Sequence, residues 1–191
     1  KIGAAAPFVG LPWESEATSG LGKVFEVVSI LAAFLVMFYA GAVLSDPKSI
    51  PYWNSPLVPA QFLISSGAMS VGVLSFFFLA VGKAISTEIV VLEIVFVALL
   101  LVSILWHLKT RKDNPAKKES LSWLLKGKYK GLFLGVVITL GTVVPLVLCL
   151  ISVAVGAGRG AMMAVAAILL LFQGYFLRLL TLRVGIYPPL R

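Results

Sequence analysis

Apolar residues in this chain are gathered into five long runs, 24–45, 57–82, 86–108, 131–155 and 160–182, with polar residues confined almost entirely to the gaps between them. At a rise of ~1.5 Å per residue, about 20 helical residues cross the ~30 Å hydrocarbon layer of a bilayer, and every run is long enough. A helix of a soluble bundle would show a polar stripe every third or fourth position. The second, fourth and fifth runs have almost none. The pattern predicts an all-α, polytopic transmembrane bundle of five spans. Residues 1–23 form an extramembrane N-terminal segment, and 24–191 form the membrane domain with a basic loop at 109–130.

Composition agrees with this division. Hydrophobic residues make up 60% of the 191 residues and charged ones 13%, far from the balance of a soluble domain. The N-terminal segment does not read as a secretory signal. It carries Pro7, Pro12, Trp13, Glu14 and Glu16 where a basic start and an apolar core would stand, and it has no initiator Met.

Charge gives an orientation. The net charge is +8, and by alternation the side bearing hairpin 46–56, loop 109–130 and the C-terminal tail holds Lys48, eight basic residues between Lys109 and Lys130, and Arg178, Arg183 and Arg191. That is twelve of the sixteen Lys and Arg. The other side holds Lys1, Lys23, Lys83 and Arg159. The positive-inside rule places the first set in the cytoplasm and the N-terminal segment outside. The basic loop borders membrane spans and has no nucleic-acid motif, so its charge reads as topology and attraction to anionic lipid. Trp53, Trp106 and Trp123 suit the aromatic belt at headgroup depth, and 120–130 reads as an interfacial segment.

Several chemistries are excluded by counting. One cysteine, Cys149, and one histidine, His107, supply neither an iron–sulfur cluster nor the paired axial ligands of a transmembrane dihaem cytochrome. No zinc set, P-loop, nucleophile elbow or Rossmann fingerprint is present. Gly156, Gly158 and Gly160 lie between two spans and read as a tight turn.

Polar residues inside the spans carry the remaining information. Glu93 lies seven residues into the third span, about 10 Å deep at ~1.5 Å per residue. An acid there is costly unless protonated, paired or hydrated. It reads either as a neutral acid bonded to a neighbouring helix or as a proton-transfer residue. Glu88 and Glu26 sit in the first turns of their spans and read as interfacial. Arg178 lies near the end of the fifth span, where it either snorkels to the surface or pairs with Asp46 or a ligand oxygen. Tyr39, Gln61, His107, Arg178 and the Trp53-Asn54 hairpin share one layer of the membrane. That layer could hold a headgroup with two carbonyl oxygens.

Tyr39-Ala40-Gly41, followed by Pro51-Tyr52-Trp53-Asn54-Ser55-Pro56-Leu57-Val58-Pro59 and Phe62-Leu63-Ile64-Ser65, resembles the NrfD/polysulfide reductase membrane-subunit family. Gln173-Gly174-Tyr175-Phe176-Leu177-Arg178 with Val184-Gly185 resembles that family's last helix. The resemblance brackets nearly the whole chain. It implies an eight-helix core of two four-helix bundles, of which this chain holds the last five helices, beginning just before the fourth. It implies a quinone, menaquinone or ubiquinone, as cofactor; the count of cysteine and histidine above leaves no haem or iron–sulfur cluster in this chain. It implies as partners an iron–sulfur subunit of the ferredoxin type and a catalytic subunit, such as a molybdopterin enzyme, in a prokaryotic plasma membrane. The family's quinone-contacting tyrosine corresponds to Tyr39. Trp53, Asn54 and Arg178 are the further candidates for quinone binding, and Glu93 for proton transfer. Relatives seat the iron–sulfur partner on the outer face, on the hairpin side, whereas the charges of this chain put the hairpin inside. The other reading, a membrane anchor or part of a transporter with no ligand chemistry, would leave the inner polar groups as packing bonds.

Overall fold

The computed structural model describes residues 20–109, 114–156 and 158–186. The N-terminal segment before residue 20, positions 110–113 of the basic loop and the end of the tail lie outside the described residues. Among the described residues six α-helices follow one another: α1 Gly20–Ser45, α2 Leu57–Ala80, α3 Thr87–Lys109, α4 Pro115–Leu125, α5 Val144–Val155 and α6 Arg159–Arg183, with a π-helical stretch Gly131–Val143 running directly into α5. No strand occurs among the described residues. Five of the described helices are long and apolar enough to cross a membrane, at Gly22–Ser45, Leu57–Ala80, Thr87–Lys109, Gly131–Val155 and Arg159–Arg183. These match the five apolar runs to within two residues at each end.

The chain divides into two units, Lys1–Met37 and Phe38–Arg191. The first contains the N-terminal part of α1, a continuous helix with apolar side chains. In the second, α2 packs on α3, α3 on α5, the π stretch and α5 on α6, and α6 back on α2. The result is a closed ring of four spans. Neighbours run antiparallel: going down α2 from Ser65 to Gly72, the partners on α6 go back from Gln173 to Ala167. Close approach depends on small residues, as expected where lipid supplies no hydrophobic drive between helices. A Cβ on Gly72 would lie 3.0 Å from that of Ala167.

Two local features were not legible from hydropathy. Asn114-Pro115 starts a helix within the stretch 109–130 expected as a loop. The Asn114 side chain accepts from the Ala116 N–H at 3.0 Å, and Pro115 occupies the first turn, where its missing N–H costs nothing. α4 buries Leu121 and Leu124 in the same cluster as Ile50, Leu100, Phe133 and Leu177 and leaves Trp123 partly exposed. The π stretch follows. Thr139 and Thr142 donate their hydroxyls to the carbonyls five residues back, Leu134 and Val137, at 2.8 Å each. Pro145, which has no N–H to give, stands where the π-helical ladder hands over to α5.

Candidate functional site

The hairpin after α1 is fastened to α6. The Trp53 indole N–H donates to the Thr181 carbonyl at 2.6 Å, and the ring packs so close to Gly185 that a Cβ there would lie 2.6 Å from it. The Asn54 amide donates to the Ser45 carbonyl at 3.2 Å, closing the hairpin on the end of α1. Tyr52 is buried beside His107, ring centroids 5.0 Å apart at 60°. Burial pushes the Tyr52 phenol well above its ordinary value, so it stays neutral. Hydrogen-bond donors of Trp53 and Asn54 are thus committed to backbone carbonyls. The Asn54 carbonyl oxygen and the faces of the Trp53 ring take no part in those bonds.

Tyr39 is 69% exposed on α1. Gly41, two residues on, is buried: a Cβ there would lie 2.5 Å from Pro59 Cα and 3.1 Å from Phe62 Cβ. The glycine of the Tyr-Ala-Gly motif therefore lets α1 approach the first turn of α2, and this fixes where Tyr39 emerges.

Arg178 sits on the far side of Phe62, its guanidinium carbon 5.4 Å from the ring centroid. It neither pairs with Asp46 nor reaches for the surface. Nη2 donates to Ser66 Oγ at 2.7 Å, and Nη1 approaches the Gly174 carbonyl at 3.5 Å and Met69 Sδ at 3.9 Å. No carboxylate among the described residues pairs with it. It borders a groove of about 360 Å³ whose other walls are Met69, Leu171, Tyr175, Leu179 and Leu182. An arginine in an otherwise apolar groove suits a ligand with an apolar body and a polar oxygen. A quinone has that form, so the residues present fit the group the sequence implies.

Glu93 lies elsewhere. Its side chain is fully buried at the centre of the four-helix ring, and neither carboxyl oxygen has a hydrogen-bond partner. Oε1 lies 3.9 Å from where a Cβ on Gly72 would stand. Ala167, across from Gly72, precedes Arg178 by eleven residues, about 16 Å along α6 at ~1.5 Å per residue. Arg178, Trp53 and Phe62 therefore gather at the hairpin end of the bundle, and Glu93 is set apart from them. Glu88 is exposed, beside Arg159. Gln61, expected in the polar layer, donates to the Ser103 carbonyl at 3.0 Å and joins α2 to α3.

Sequence reasoning missed Gln173. It is fully buried, its Oε1 accepts from Ser65 Oγ at 3.3 Å, and its Nε2 has no partner. It packs against Gly141 of the π stretch. Gln173 stood in a quoted motif, but nothing local distinguishes an inward amide from an outward one on a helix that is apolar all round.

The architecture is that of a multi-pass membrane protein with an apolar groove edged by Arg178 toward its hairpin end and a buried acid, Glu93, among its helices. The chain belongs to the NrfD family: the family model described as "Polysulphide reductase, NrfD" matches residues 8–188. It is a membrane subunit of the polysulphide-reductase type, a class that works with partner oxidoreductase subunits. No curated protein and no solved structure gives a significant match.

Proposed function

We propose that the chain is the quinone-binding membrane subunit of a multisubunit oxidoreductase, exchanging electrons with an iron–sulfur partner that in turn serves a catalytic subunit, such as a molybdopterin enzyme. The observation that carries this reading is Arg178: a guanidinium without a carboxylate partner among the described residues, held on Ser66 and Phe62 at the edge of an apolar groove. Family membership supports it through the family's link to quinone-pool oxidoreductases.

When bound, a quinone supplies two-electron, two-proton chemistry. The residues of this chain bind and orient it. Arg178 keeps guanidinium N–H groups beyond the bond to Ser66, and these donate to a carbonyl oxygen. Tyr39 donates its phenolic proton to a carbonyl, as the resemblance implies, and packs its ring on the apolar body. Trp53 and Asn54 hold the hairpin that borders the layer, the Asn54 carbonyl oxygen being free to accept from a hydroxyl. Glu93 holds and releases a proton; a carboxyl with two unpartnered oxygens in an apolar core needs either a proton or water to be tolerable.

The basic side of the chain, with loop 109–130, faces the cytoplasm of a prokaryote. A cysteine placed at Asn114 should resist an impermeant thiol reagent in intact cells, and strong labelling there would invert the topology. The functional test is quinol titration of the intact complex with Arg178→Gln. Quinol affinity falls if Arg178 binds the headgroup; unchanged apparent affinity and maximal rate would remove it from the site.

A further inference from the structure

Five buried side-chain atoms among the described residues lack a hydrogen-bond partner: both carboxyl oxygens of Glu93, Nε2 of Gln173, and both ring nitrogens of His107. They belong to three residues at three successive depths of one four-helix ring. His107 stands at the hairpin end of α3, next to Tyr52. Gln173 comes next, at the level of Ser65 on α2. Glu93 is deepest, at the level of Gly72 and Ala167. An unsatisfied buried polar group is expensive, and the usual remedy is internal water making about three hydrogen bonds.

The opposite end of the same ring is different. Between Glu93 and that end lie Ile85, Val90, Cys149, Met163 and Ala166, packed as one apolar cluster. Polar groups there are spent on protein partners. Ser75 donates to Val71 O at 3.0 Å and Ser152 to Cys149 O at 2.9 Å. Arg159 reaches Thr87 Oγ1 at 3.1 Å, Ile85 O at 3.3 Å and Ser152 O at 3.5 Å. The hydroxyls of Ser75 and Ser152 are thus committed to backbone carbonyls and Arg159 is tied by Nε and Nη1 to protein oxygens, and the fixed cation opposes passage of a proton.

We propose that His107, Gln173 and Glu93 hold a file of internal water that opens toward the hairpin end of the bundle and stops at Glu93, so that Glu93 exchanges protons with the hairpin end and not with the Arg159 end. The inference rests on the reading of Glu93 as a proton-holding group and gives it a sidedness and a route. The partners for water are the five unpartnered atoms themselves. Gly72 and Ala167 bring no polar side chain to Glu93 on that flank, and Ser65 Oγ bonds Gln173 at Oε1, leaving Nε2 to another acceptor. The titratable groups facing the route are Cys149 on α5 beside Glu93, and Tyr52 of the hairpin and Lys117 of α4 beside His107. No net chemistry occurs along the file: a proton added at His107 displaces one along the hydrogen-bonded waters, and one arrives on a Glu93 oxygen.

The test is infrared spectroscopy of the intact complex, following exchange of the Glu93 carboxylic proton after transfer to heavy water, with Glu93→Gln identifying the band. No quinone and no turnover are needed, so loss of the route and loss of the quinone reading are separate results. Gln173→Leu, close in shape but without the amide, should slow the exchange by about tenfold or more. Ser152→Ala and Arg159→Gln should leave it within about twofold. Equal rates in wild type and Gln173→Leu would overturn the route, and slowing by the Arg159-end variants alone would overturn its direction. A high-resolution map of the unmodified complex tests the same point without substitution: ordered water at Gln173 Nε2 and at Glu93 is expected, and a dry Gln173 rejects the file.

Discussion

Arg178 and Glu93 are both charged-type residues inside apolar helices, and the bundle treats them in opposite ways. Arg178 is partly buried, anchored by one bond to Ser66, and borders an open groove. Glu93 is fully buried, unsatisfied, and walled by small residues and apolar side chains on the inside. A polar group on the outer surface of a membrane bundle can meet what diffuses in the lipid. One sealed in the centre can meet only what the interior admits, which is water and protons. Depth along the span, the coordinate available from sequence, separates the two by about three helical turns, but what divides their surroundings is which face of its helix each one occupies.

The sharpest way to break this contrast is Glu93→Gln. If Glu93 moves protons, its loss removes a positioned acid–base group, and such groups are worth about 10²–10⁴-fold in rate. Quinol-driven turnover of the assembled complex should fall by about 100-fold or more while quinol affinity stays. The amide keeps a donor and an acceptor in the same shape, so assembly should persist. Wild-type turnover in this variant would make Glu93 a packing residue and collapse the distinction.

Arg178→Gln should show the converse pattern, with the loss in affinity rather than in rate. Hydrogen bonds to charged groups contribute roughly 1.5–3 kcal/mol, which corresponds to a fall in apparent quinol affinity of about 12- to 160-fold. Ser66 then loses a donor that it does not need in a groove open to the lipid surface. A fall in maximal rate at unchanged affinity would place Arg178 with Glu93 instead.

Gly72→Ala discriminates between the two places by volume. The added methyl would stand 3.0 Å from the Ala167 Cβ and 3.9 Å from Glu93 Oε1. Overpacking of a tight core costs about 1–3 kcal/mol, so thermal stability should drop and the Glu93 infrared band should shift. Affinity at the Arg178 groove should not change. A variant as stable as wild type would mean that α2 and α6 can separate there, and that the surroundings of Glu93 are less closely built than the packing implies.

Much of the fold could be read from the chain because the bilayer imposes a single length on its helices. All five spans followed from apolar runs, with ends within two residues of those found. The depths of Glu93 and Arg178 followed from counting. What escaped was set by contacts between helices. The Trp53 bond to Thr181 spans 128 positions, and no local pattern announces it. Arg178 reads from sequence as snorkelling or pairing, yet Ser66, one helix away, supplies its partner. Gln173 is one polar residue on a helix without a polar stripe, so its inward direction needs the packing of α2 and the π stretch. The π stretch itself has the composition of any apolar helix; its five-residue bonding, as from the Val144 N–H to the Thr139 carbonyl, shows only in the structure.

The smallest effect expected is at Tyr39, and it bears on whether the Arg178 groove and the exposed end of α1 serve one ligand. Tyr39 is 69% exposed, while Gly41 is pressed on Phe62, the residue whose ring lies under Arg178. Phe62 is thus a neighbour common to both candidates. The Tyr39→Phe variant removes only the hydroxyl. A neutral hydrogen bond contributes about 0.5–1.5 kcal/mol net, so quinol affinity should fall by about 2- to 13-fold. Ring volume is kept and the side chain is exposed, so stability and assembly should match wild type. The double variant Tyr39→Phe with Arg178→Gln decides the matter. Two donors on one headgroup share its desolvation and its positioning, so their losses should fail to add, by about 0.5 kcal/mol or more in the coupling energy. Strict additivity would mean that the phenol and the guanidinium act at separate places. Phe at position 39 with wild-type affinity and rate would leave Arg178 as the polar anchor of this chain and take Tyr39 out of the site.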